Sequence, residues 1–159
     1  MQVAISYFAQ LRNFKPNMIP VSTAAFDPRW YHDYKGPKQV FYDKKGIING
    51  ARCELLVPNE EVRTKCSGPK NCEKVDPDSC PFLMKYSEQL DNIDFNVMLN
   101  YLERMEEWAI ANTNIPKDDL ILVFLVYEKY DNPCSERNAI IKYFRKHGID
   151  IEELHYPIS

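Results

Sequence analysis

"DLILVFLVYEKYDNPCSERNAIIKYFRKHGIDIEE", residues 119–153, decides the fold. Leu120 to Tyr127 are apolar on both faces, the pattern of a central strand covered on both sides, as in parallel sheets. A short polar turn follows. Ile140, Tyr143 and Phe144 then fall on one face of a helix that carries basic residues in its last turn and stops at Gly148. "IDIEELHYPI" supplies a closing strand. Strand, helix and strand at this length predict a right-handed crossover unit. The expected fold class is therefore α/β: a single compact domain over 1–159, a three-layer sandwich with a mostly parallel, Rossmann-like sheet.

The flanking sequence fits that frame. "QVAISYFAQL" reads as a first strand and "MIPVSTAAF" as a second around Val21. "DPRWYHDYKGPK" is a loop, and "QVFYDKKGII" a small hairpin whose turn ends in Gly46. Two helices follow, a short one in "CPFLMKYSEQLDN" and a longer one in "DFNVMLNYLERMEEWAIANT" with Asp94 as N-cap. In the longer one, Phe95, Met98, Leu99, Leu102, Met105 and Ala109 recur at helical spacing, a stripe that reads as core packing.

With 159 residues, the chain is long enough for one sizeable core. A net charge of -3 argues against a protein whose main task is coating nucleic acid. No stretch approaches the roughly 20 apolar residues that span a bilayer. The start, "MQVAISYFAQLRNF", lacks the pattern of a cleaved leader, so a cytoplasmic protein with no membrane partner is expected. In that compartment five cysteines suggest metal binding or reactivity before disulfides.

In open α/β sheets, ligands collect beyond the carboxyl ends of the strands. Glu128 and Cys134 lie at such an end. Asn132 reads as the helix N-cap and Pro133 as its first residue, which puts Cys134 in the first turn. Unpaired backbone N–H groups and the positive end of the helix dipole favour a thiolate there, and Arg137 adds positive charge. The same surroundings suit an anionic ligand such as a phosphate. A plainer reading stands beside this one: Glu136 is ordinary first-turn chemistry, Arg137 pairs with Glu128 or Glu136, and the thiol only packs.

Residues 58–81 differ in kind, being polar and cysteine-bearing, a loop or insertion. Cys66, Cys72 and Cys80 are spaced C-x5-C-x7-C, looser than the paired knuckles of common zinc sites. A thiolate cluster would supply the cross-link that such a segment lacks, holding zinc or an iron–sulfur cluster. Cys53 is the leading fourth ligand, with His32 and His155 behind it. Free thiols in a loop are the alternative.

"LVFLVYEKYDNPCSERNAIIKYFRKHGIDIEE" resembles the strand, "YEK" stretch, Cys-x-x-Arg region and helix of an uncharacterised family, the domain of unknown function 488. "IPVSTAAFDPRWY" is similar to a Ser-bearing strand and Pro-Arg-Trp turn in one branch, and the cysteine segment to an insertion in a subset of members. Many members carry Cys-His-Arg where this chain has Cys134-Ser135-Glu136-Arg137, so no role of that histidine carries over. The resemblance implies a compact α/β fold and a pocket around Cys134, Arg137, Glu128, Ser22 and Arg29, without implying a reaction.

Two functions follow as expectations. In the first, the chain is an enzyme acting on a nucleotide-like or phosphorylated anion. Ser22, Arg29 and Trp30 bind the substrate, Cys134 is nucleophile or redox thiol, Glu128 is a general base or the partner that orients Arg137, and Arg137 holds the anion. In the second, it is a non-catalytic, metal-stabilised module for an anionic ligand or nucleic acid, using Arg29, Trp30, Lys35, Lys38 and Lys44–Lys45. A small anionic ligand is favoured over nucleic acid because those basic residues are few.

Overall fold

The structure is a computed structural model, and it describes residues 1–31, 41–42, 48–65, 76–128, 132–133 and 135–155. Five strands form an all-parallel sheet: β1 (Gln2–Tyr7), β2 (Met18–Ser22), β5 (Ala51–Arg52), β6 (Ile121–Val126) and β7 (Glu152–Glu153), in the order β5-β2-β6-β1-β7. The expected hairpin is present as β3 (Phe41–Tyr42) antiparallel to β4 (Ile48–Asn49). Four α-helices are described: α1 (Glu60–Arg63), α2 (Pro81–Asp91), α3 (Phe95–Thr113) and α4 (Glu136–Lys146).

β6 is central, pairing with β1 along its whole length and with β2 from Ile121 to Leu125. Its alternation feeds two cores. Leu122, Phe124 and Val126 pack with Ile5, Ile19 and Val21 against α2, α3 and α4. Val123 and Leu125 pack on the opposite face with Ala4, Phe8, Leu11, Phe14 and Tyr31. The layers are unequal. One face carries the three long helices, while the other is covered by the 3-10 segment Phe8–Asn13 and by Tyr31. Each fully buried Leu, Ile or Phe here contributes about 1.5–3 kcal/mol, so β6 alone anchors much of the fold.

The crossovers obey one hand. The chain runs from β1 past β6 to β2 over the thin face, and from β6 past β1 to β7 over the helical face. Opposite directions on opposite faces are the same handedness.

Local signals set the helix limits. The Asp94 carboxylate accepts from Asn96 N–H at 2.8 Å, the expected N-cap. α3 closes at Asn114, whose φ of 61° is left-handed. Gly148 ends α4 with φ 83°. The cysteine-bearing stretch is not uniformly loop: Asn59 caps the short α1, and Val62 is buried in the core.

One boundary differs from expectation. α4 begins at Glu136, and its N-cap is Ser135, whose hydroxyl accepts from Arg137 N–H at 3.2 Å. Asn132 is not the cap and Pro133 is not the first helical residue; Cys134, expected in the first turn, lies outside the described residues. Ser135 prevails because its hydroxyl, wholly buried, also donates to the Glu128 carboxylate at 3.2 Å, a tertiary bond that tethers the cap to the end of β6.

Candidate functional site

β1 and β6 are neighbours whose chains depart over opposite faces, which makes their carboxyl ends the topological switch point of the sheet. The ends of β2 and β5 extend the same rim. The two halves of this rim are built differently.

In the β2–β5 half the buried charges are matched. The Ser22 hydroxyl donates to the Asp27 carboxylate. The other Asp27 oxygen lies 2.6 Å from Arg52 Nη1. Arg52 also donates to Ala24 O at 2.9 Å and pairs with Glu54 through Nε at 3.1 Å. Ser22 is fully buried, so it acts by holding Asp27 and not by meeting a ligand. Tyr101 clips α3 to this strand end, donating to Arg52 O at 3.2 Å and accepting from Glu54 N–H at 3.1 Å.

In the β6–α4 half a carboxyl is left over. Glu136 Oε2 is buried and has no hydrogen-bond partner among the described residues. A glutamate at the first helical position normally gains about 0.3–1 kcal/mol as an anion from the helix dipole. Here burial, and then the charge of Glu128, push the carboxyl from its ordinary 4.5 up to about 8. A shift of that size reflects a few kcal/mol, so desolvation overrides the dipole. Buried Tyr86 lies close enough for the Glu136 charge to help raise its phenol, and its hydroxyl donates to Leu56 O at 2.5 Å.

Arg137 does not pair with Glu128 or Glu136. Its Nε lies 2.6 Å from Glu153 Oε1 on β7, and its Nη2 donates to Asn132 O at 3.2 Å. It is buried and ties α4, the preceding turn and the sheet edge together.

An aromatic platform follows the ends of β2 and β6. Phe26, Trp30 and Tyr127 are 74%, 48% and 51% exposed, too open for core residues. Phe8 links two of them, with ring centroids 6.1 Å from Trp30 and 4.9 Å from Tyr127. The Tyr127 hydroxyl donates to Phe26 O, and Arg63 lies 5.5 Å over the Phe26 ring. Arg29 is exposed beside Trp30. Tyr127 directly precedes Glu128, so the platform and the carboxyl pair share one edge.

The cysteine predictions divide. Cys134, Cys66 and Cys72 lie outside the described residues, as does His32. Cys80 is half-buried just before α2. Cys53 is wholly buried after β5, and burial pushes its thiol up to about 12; a bound cation is what would bring such a thiol down. His155 is exposed. Among the described residues no three His, Cys, Asp or Glu side chains could together hold a metal ion. No helix among them is long and apolar enough to cross a membrane.

Sequence reasoning missed Asp27, Arg52, Glu136 and Tyr127 as site residues. Glu136 carried a signal, being a second carboxyl within one turn of the β6 end. Asp27 and Arg52 carried none, because nothing in a spacing of 25 residues announces an ion pair. A scan against protein-family models, a search of curated proteins and a search of solved structures each found no match to the chain.

Proposed function

We propose that the chain is an enzyme performing acid–base chemistry on an anionic, nucleotide-like or phosphorylated substrate at the turn from β6 to α4. The observation that carries this is the carboxyl pair at the mouth of the sheet, with Glu136 held protonated at neutral pH by burial and by Glu128. A carboxyl that keeps its proton beside a second carboxyl suits two roles: Glu136 as general acid, Glu128 as general base. Cys134, between them in sequence, is the nucleophile or redox thiol of this reading, in keeping with the resemblance to the domain of unknown function 488 family. Arg137 is a positioning residue, since its guanidinium is engaged with Glu153 and Asn132. The platform of Trp30 and Tyr127 offers a face for a base to stack on, and Arg29 a charge for a phosphate.

The test is turnover of a panel of nucleotides and sugar phosphates from about pH 6 to 9, in wild type, Glu136→Gln, Glu128→Gln and Cys134→Ser. Activity is expected to fall above a limb near pH 8, and that limb is expected to vanish in Glu136→Gln. A panel without turnover, together with a Cys134 thiol alkylated no faster than a free cysteine, overturns the enzyme. Binding of the same compounds without turnover would select the second reading, a non-catalytic module that uses the platform alone.

A further inference from the structure

A cavity of about 480 Å³ lies beside the outer edge of β5, one strand removed from β6 and outside the proposed reaction. One wall is the β5 backbone with Arg52 and Glu54. The other is a stripe of α3 formed by Tyr101, Arg104, Met105 and Trp108. Their spacing of three, four and seven puts them on one helix face. Tyr101, Met105 and Trp108 are each half-buried against the core, so the wall is apolar and firmly seated.

We propose that this cavity binds a small molecule with a flat apolar body and a single anionic head, the head held between Arg104 and Arg52 and the body against Trp108 and Met105. The volume falls in the range of about 300–1,000 Å³ typical of small-molecule sites. The polar groups are few and convergent. Arg104 is exposed and has no ion pair among the described residues. It stands one turn from Trp108, so an anion at its guanidinium places an attached ring over the indole. Arg52 is fixed from behind by Asp27 at 2.6 Å and Ala24 O at 2.9 Å. Its partner on the open side is Glu54, whose side chain is 55% exposed. The Arg52 side chain is 13% exposed, so the pair is open to water on the Glu54 side, where a ligand anion that meets two guanidinium groups competes with it. Tyr101 holds the two walls at fixed separation through its bonds to Arg52 O and Glu54 N–H.

A carboxylate and a phosphate monoester both satisfy this chemistry. Naphthoate, naphthyl phosphate and neutral naphthamide are titrated into the full chain, by calorimetry and by following the indole N–H resonance of Trp108, assigned with Trp30→Phe. One or both anions are expected to bind with Kd below about 1 mM and to shift the Trp108 resonance, while naphthamide binds at least about tenfold more weakly. Arg104→Gln, at an exposed position, is expected to leave the melting temperature unchanged and to weaken the anions about tenfold or more without affecting naphthamide. Naphthoate binding alone identifies a carboxylate ligand, and naphthyl phosphate binding alone a phosphate monoester. Neither anion binding at about 1 mM, equal binding of naphthamide, or affinity unchanged in Arg104→Gln overturns the proposal.

Discussion

Asp27 and Glu136 are both buried acids on the same rim of the same sheet, and they meet opposite fates. Asp27 has Arg52 at 2.6 Å and the Ser22 hydroxyl on its other oxygen. Glu136 has a like charge nearby in Glu128 and one oxygen with no hydrogen-bond partner among the described residues. The matched acid builds structure: it fixes Arg52, which in turn shapes a cavity wall. The unmatched acid retains its proton, the property a proton donor needs. Burial alone therefore does not mark a functional carboxyl; burial without a countercharge does.

The largest test of this contrast removes the countercharge. Arg52→Met removes the described countercharge of buried Asp27, and is expected to cost about 3–5 kcal/mol by urea denaturation. Asp27→Asn combined with Arg52→Met should recover much of that loss. A single-variant loss under about 1 kcal/mol would mean that Asp27 and Glu136 sit in equivalent surroundings after all.

The next concerns Glu136. Its folded carboxyl titrates near 8 against an ordinary 4.5 in the unfolded chain. The folded state therefore binds the extra proton between those values, and its contribution to stability is full below about 4.5 and is lost as pH rises through about 8. Glu136→Gln should flatten this decline. At about pH 9 the variant should be more stable than wild type by about 1–3 kcal/mol. Parallel stability-against-pH curves for the two proteins would remove the contrast between the acids.

The smallest effect belongs to Ser135→Ala. The hydroxyl caps α4 and donates to Glu128, so its loss should cost about 1 kcal/mol in thermal unfolding. A loss near zero would show that α4 begins without this cap.

The sequence made the scaffold readable where local and global signals coincide. The unbroken apolar run from Leu120 demanded burial on two faces, and Asp94 and Gly148 punctuated their helices by backbone chemistry that needs no distant partner. Reading failed where a distant partner decided the outcome. Asn132-Pro133 satisfies the rules for a helix start, yet Ser135 won through a bond to Glu128 that propensity does not see. Arg137 found Glu153 because β7 lies beside β1 on the same side as α4, a product of strand order. On α3 the core stripe was legible, but three of its expected members, Phe95, Leu99 and Met105, are only half-buried, while Glu106 is buried. The second stripe, Tyr101 to Trp108, faces a cavity that exists only once β5 is in place.

The outermost described strand on one side, β7, pairs over Glu152 and Glu153 alone, and both residues are exposed. A foreign strand seeking to extend the sheet there would find a ledge two residues long, bearing the open charge of Glu152 beside the Glu153–Arg137 pair. So short a margin offers too few main-chain bonds to nucleate edge-to-edge growth on this described side of the sheet.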